Sequence, residues 1–269
     1  MEKLDLELLK KKVLIKIFDS LTHPTINGKW LKSDLDATFD SLANDMALNN
    51  ISYVIASATT GHGYSHKGFI KKCSSYAGII PIARLDVNNK NLNLELEEVK
   101  KLGYKGVKFH PRFENFNYSI EKLTEVFSIC SKLKLTVHWC SFYYSKIENL
   151  PNEDPLFILI KALKSSPDLK LVIVHGGVHD LMKYAELARF NSNILIDLSY
   201  TLLQYKNTSL FKDILFLFEK LDRRLCIGSD HPEFSLKELR ETFDEIYKTQ
   251  NISKEKLENI AYKNLLNLY

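Results

Sequence analysis

At 269 residues, 45% hydrophobic and 26% charged, the chain has an ordinary globular composition and the length of one α/β barrel. Its formal net charge of +4 is spread over scattered lysines (Lys10-Lys11-Lys12, Lys71-Lys72, Lys100-Lys101), without the clustered basic and aromatic surface of a nucleic-acid binder. No apolar run approaches the ~20 residues of a membrane span, and Lys16 and Asp19 break any leader-like apolar core. The four cysteines, Cys73, Cys130, Cys140 and Cys226, stand far apart with no Cys-x-x-Cys pair, which points to reduced thiols and a cytoplasmic protein.

A short amphipathic helix over 3–11 precedes the first strand, at about 13–20. Ser33 reads as the N-cap of a helix running to about Asn49. Strand two is Ile51–Ala58 and leads through Thr59-Thr60-Gly61-His62-Gly63-Tyr64 to a helix over 65–76. Strand three is Gly78–Leu85, and the helix after it stops at Gly103. Strand four is Lys105–Pro111, and Ser119 caps the next helix. Strand five is Leu135–Cys140, and Asp154-Pro155 opens its helix. Strand six is Leu169–Gly177, strand seven Ile194–Ser199, and strand eight Arg224–Asp230. Ser235 and Glu238 have capping-box spacing, and a further short helix follows Ser253. The apolar helix at 208–221 either faces a partner subunit, giving a homo-oligomer, or packs on the barrel. About eight strand-helix units with short apolar strands imply a parallel sheet covered by helices, and eight units favour closure. The expected fold is a single (β/α)8 barrel over 1–269, with a short N-terminal helix and C-terminal helices. The glycine-rich dinucleotide signature is absent after strand one.

The chemistry-bearing residues fall at strand ends, the face where barrels of this class place their active sites. They are His23 on strand one, Lys108 and His110 on strand four, His138 on strand five, His175 on strand six and Asp230 on strand eight. Side chains alternate along a strand, so Asp19, Leu21 and His23 are expected on one face. Three imidazoles and a carboxylate suit Zn, and also Mn or Fe. Such a metal would lower the pKa of a bound water, and Asp230 could accept that water's proton. Lys108, His110 and Arg84 are candidate contacts to an acidic substrate; Lys108 could equally be a buried lysine paired with Asp19 or Asp197. His62 and His66 read as surface residues, His179 and His231 as non-ligands, and Cys140 and Cys226 as core packing. Trp139 and Phe142-Tyr143-Tyr144 could wall a pocket or simply pack.

Several motifs, in order, resemble the amidohydrolase superfamily, in particular the amidohydrolase-related group of small-acid decarboxylases and lactone hydrolases. Ile17–His23 is similar to that family's Asp-x-His-x-His opening, and Gly103–Pro111 to its fourth strand. Val137-His138 and Val174-His175-Gly176-Gly177 resemble its third and fourth histidine strands. Gly228-Ser229-Asp230-His231-Pro232 resembles the ending of its eighth strand, and 252–266 its terminal helices. One position departs: Leu21 stands where the family carries its first histidine. The resemblance implies a metal held by His23, His138 and Asp230, with His175 as a fourth ligand or a group facing the substrate. It implies a metal-dependent hydrolase of a small, acidic, carbonyl-containing substrate. A decarboxylase on the same scaffold, and a metal-free barrel that binds a ligand or partner, are the alternatives. A related metal-dependent deoxyribonuclease ranks last, because the glutamate expected near strand four has no match.

Overall fold

The computed structural model describes residues 15–269 except 32, 60, 62 and 115–118. The helix expected over 3–11, the first residues of strand one and His62 lie outside the described residues.

Eight parallel strands follow one another around the sheet in chain order. They are β1 (Ile17–Thr22), β2 (Ile51–Ser57), β3 (Ile79–Arg84), β4 (Gly106–Phe109), β5 (Thr136–Cys140), β6 (Leu171–Val174), β7 (Ile194–Asp197) and β8 (Leu225–Cys226). Helices alternate with them, so the sheet curls into a nearly closed TIM barrel. The seam between β8 and β1 carries backbone bonds from Ser20 N to Ile227 O at 3.0 Å, Asp230 N to Leu21 O at 3.1 Å and His23 N to His231 O at 2.7 Å. These bonds tie the two ends of the chain's polar pattern, His23 and Asp230, to one another.

Local chemistry sets the helix starts. The first described helix, α1 (Phe39–Leu48), is capped by Thr38, whose hydroxyl accepts from Ser41 N at 3.2 Å. Ser33, expected to cap it, instead donates its hydroxyl to Trp30 O at 2.9 Å within a loop pinned by the Lys29–Asp36 bridge. That loop brings Trp30 over the barrel mouth. The Ser235–Glu238 capping box forms as expected, and Gly103 ends its helix at φ 100°.

The apolar residues form two layers. One large cluster lies between strands and helices, and a smaller one fills the barrel with Phe18, Leu21, Ile55, Ile82, Val172, Val174, Leu195, Cys226 and Leu265. Phe18 and Leu21 are three residues apart yet both point inward, because the β1–β2 register shifts between Asp19 and Thr22. The strict alternation expected for strand one therefore fails. Asp19 turns toward the β8 side, accepting from Ser229 N at 3.0 Å and Ser229 Oγ at 2.6 Å. Each fully buried aliphatic side chain stabilises the barrel by about 1.5–3 kcal/mol. The apolar helix at 208–221 forms over Ser209–Lys220 and packs Ile214, Leu217 and Phe218 onto the barrel, leaving Phe216 half exposed. Among the described residues no helix is long and apolar enough to cross a membrane.

Candidate active site at the barrel mouth

His23 follows directly on β1. Its Nδ1 lies 2.7 Å from Ser57 O, and a carbonyl can only accept, so Nδ1 carries the proton. Nε2 is then a lone pair, 3.2 Å from Lys108 Nζ and 3.3 Å from Asp230 Oδ1. Lys108 donates to it; burial lowers the pKa of this lysine, and Cys140 and Asp230 work to keep its charge. Trp30 stacks on the imidazole at 5.0 Å between centroids and is itself held by Glu233 Oε1 at 2.6 Å. Burial, together with the charge of Lys108, pushes His23 below its ordinary pKa.

Asp230 reaches the mouth through Gly228 and a positive φ of 63° of its own. A Cβ at Gly228 would come within 2.5 Å of Ser20 Oγ and 2.7 Å of Asp19 Oδ1, so only glycine lets β8 pass this close to β1. Burial works to raise the Asp230 carboxyl. The charges of His175 and Lys108, with the close approach of the His23 ring, outweigh it and hold the group at about 2.

His175 sits one residue past β6 at φ 66°, and its Nδ1 donates to Ser199 O at 3.0 Å. The next turn needs glycine: a Cβ on Gly177 would meet the Tyr184 ring at 2.2 Å. Burial opposes the His175 charge, but Asp230 and Cys140 raise its pKa to about 9, so the ring is an imidazolium at neutral pH. Cys140 Sγ lies 3.4 Å from His110 Nε2. Burial raises the thiol, and His110 and His175 more than reverse that, leaving it well below its ordinary value. Burial lowers His110 to about 4.

These groups open on a cavity of about 510 Å3 lined by His23, Trp30, Thr59, Arg84, Lys108, His110, Arg112, Phe142, His175, Tyr200 and Asp230, among others. Four buried polar atoms of its wall have no hydrogen-bond partner among the described residues: Asp230 Oδ1, Arg112 Nε, His110 Nδ1 and Thr59 Oγ1. Unpaired buried polar atoms are costly, so this wall is built to be completed by a solute. Arg112 lies over the Phe142 ring at 4.5 Å. Arg84 also lines the cavity, but its guanidinium is committed to Glu114 Oε1 at 2.8 Å, and Glu114 accepts from His110 N at 2.8 Å as well. That pair fixes the strand-four end rather than presenting a free charge.

His138 is placed differently. In register it pairs with Lys108 on one side and Val172 on the other, and it does not line the cavity. Its Nε2 is hydrogen-bonded to the Tyr269 hydroxyl, its Nδ1 has no partner among the described residues, and burial lowers it to about 3. The structure thus brings His23, His175, Asp230, Lys108, His110 and Arg84 to one cavity and leaves His138 below it. Lys108, weighed above as a partner of Asp19 or Asp197, faces His23 instead. Asp197 is satisfied by Ser199 and Ser20, and Asp19 by Ser229.

The resemblance noted in the sequence implies a divalent ion, so the donor set can be tested against one. The residues do not fit one. Leu21 offers no donor and is fully buried in the inner apolar cluster. His138 Nε2 is taken by Tyr269, and an amino group already sits against His23 Nε2. Among the described residues no three His, Cys, Asp or Glu side chains gather as a metal site requires.

Sequence reasoning missed Trp30, Arg112 and the Arg84–Glu114 pair, and it read Cys140 as packing. Only Cys140 left a signal, its shared parity with His138 two residues earlier.

No curated protein matches the chain. Among solved structures, an uncharacterised TIM-barrel protein from Bordetella bronchiseptica superposes with a TM-score of 0.76 at 17% identity, covering 94% of this chain and 98% of that one. A "probable 2-pyrone-4,6-dicarboxylic acid hydrolase" from Acinetobacter baumannii, solved with citric acid bound, gives 0.63 at 17% identity over 94% and 98%. A dihydroorotase from Campylobacter jejuni gives 0.63 at 17% identity over 94% and 82%. At these identities the likeness is one of fold. A family model described as amidohydrolase matches residues 31–269, starting after β1. That match covers most of the chain, which belongs to the amidohydrolase-2 family, a hydrolase and decarboxylase scaffold.

Proposed function

We propose that the protein is a hydrolase of a small carbonyl compound bearing a carboxylate, acting through Asp230 as general base. The observation that carries the reading is Asp230 Oδ1, which accepts no hydrogen bond among the described residues and lies in the wall of a cavity that Lys108, His175 and Arg112 also line. The nucleophile in this reading is a water taken up in the cavity at the Asp230 carboxylate. Asp230 takes its proton, the oxygen attacks the carbonyl carbon, and the carbonyl π electrons move onto oxygen. His175, an imidazolium, faces Asp230 and stabilises the developing oxyanion. Collapse breaks the bond to the leaving oxygen or nitrogen, which takes the proton back from Asp230. Arg112, with its free Nε and its stack on Phe142, suits the substrate carboxylate, and Lys108 and His110 line the same cavity. The Acinetobacter relative's bound citric acid, itself a polycarboxylate, supports an acidic ligand in such a barrel.

Decarboxylation is the rival on this scaffold. It needs a proton delivered to the carbon that loses CO2, which the His175 imidazolium or the Asp230 carboxyl would supply, and unlike hydrolysis it consumes no water. The test is a panel of carboxylated lactones, esters and cyclic amides assayed with the wild type and Asp230→Asn. The reading expects turnover with label from 18O-water in the acid product, and its loss in the variant. Turnover that releases CO2 without label, or equal activity in Asp230→Asn, overturns it.

A further inference from the structure

We propose that Lys108 is the resident cation of this site, so that the protein works without a divalent metal between His23 and Asp230. The inference rests on the reading of the mouth as the reactive site and deepens it by naming the group that polarises the carbonyl. Three independent positions carry it. His23 can offer a metal only Nε2, because Nδ1 is committed to Ser57 O, and Lys108 Nζ already donates to that atom at 3.2 Å. That ring nitrogen also stands 3.3 Å from Asp230 Oδ1, so Lys108 and Asp230 meet at the same atom of His23 and a metal there would have to displace the amino group. The two other donors a metal would recruit are absent from the level of the mouth: Leu21 is fully buried in the inner apolar cluster, and His138 is bonded to Tyr269.

A divalent ion at His23 Nε2 would be within a few ångströms of an ammonium and would have to expel it. The ammonium supplies part of what the metal would. It lines the cavity, donates to His23 and shares that ring nitrogen with the carboxylate that takes the water's proton. The cavity-facing hydrogens of Nζ are then donors for the substrate's carbonyl oxygen, which makes Lys108 a catalytic residue.

The test needs no substrate, so its failure is separable from failure of the hydrolase reading. Protein purified without chelator is analysed for transition metals. Wild type, Lys108→Ala and Lys108→Met are then dialysed to equilibrium against Zn²⁺ alone, with circular dichroism confirming that each is folded. The proposal expects less than about 0.1 equivalent of metal in the wild type and a melting temperature that neither chelator nor Zn²⁺ moves. Lys108→Ala, or Lys108→Met should the smaller side chain unfold the barrel, is expected to bind Zn²⁺ at least about tenfold more tightly than the wild type. Stoichiometric metal in the wild type overturns the proposal, as does equal zinc affinity in the wild type and the folded variants.

Discussion

His138 lies in the middle of β5 and His175 one residue past the end of the neighbouring β6, and their surroundings differ in kind. His138 is level with Val172 in the β5–β6 register, so His175 lies three residues closer to the mouth, roughly 10 Å at the rise of a strand. The lower ring is neutral, sealed and tied to Tyr269; the upper one is charged and opens on the cavity beside Asp230. Height along the barrel axis, rather than residue type, separates a structural histidine from one in reach of a solute.

The largest expected effect follows from that contrast. Asp230→Asn should lower kcat/KM by about 10²–10⁴-fold, the range for losing a general base, whereas His138→Gln should change it by less than about threefold. Parallel steady-state assays on whichever panel compound is turned over decide this, and similar losses in both variants would erase the distinction between floor and mouth.

Next in size is Leu21→His. If strand one merely lacked one ligand, this change would build a metal site. The structure instead puts the new imidazole in an apolar cluster without a partner, and a stability loss of about 2–4 kcal/mol in urea unfolding is expected, with no gain in zinc binding. Restored zinc binding at undiminished stability would show that β1 is built for a metal.

The pH dependence comes third. His175 has a folded pKa near 9, above its ordinary 6.5, so the stability it contributes is complete below about 6.5 and lost as pH rises through about 9. Asp230, depressed to about 2, contributes above about 3.8 and loses that contribution as pH falls through about 2. Urea midpoints of the wild type should therefore fall between pH 6.5 and 9, and His175→Gln should flatten that limb. The smallest effect is expected at the floor. Tyr269→Phe removes one hydrogen bond from His138 and should cost about 1–3 kcal/mol in stability with turnover unchanged.

The barrel was legible in the sequence because each strand is a short apolar run bounded by its own turn chemistry. The caps at Ser65, Ser119, Asp154 and Ser235 each act on the local backbone alone. The loop around Trp30 was not legible, since Ser33 is an equally good cap until the Lys29–Asp36 bridge takes its segment. At the site, parity could be read but register could not. His138 and Cys140 share parity, and only pairing with β4 and β6 shows that Cys140 is at the level of Val174 and the mouth while His138 is below. The shift in β1 had a similar effect on Asp19, which alternation alone places on one face with Leu21 and His23 and which instead turns to Ser229.

The account's central claim is that the reactive centre is the His23–Lys108–Asp230–His175 mouth, closed to a metal from below. A crystal structure of protein soaked with Zn²⁺ and a small dicarboxylate such as malonate tests it most directly. The account predicts carboxylate density in the cavity against Arg112 or Lys108, His138 still bonded to Tyr269, and no metal at His23. Metal density bridging His23, His138 and Asp230, with the Tyr269 bond broken and Lys108 displaced, would contradict it.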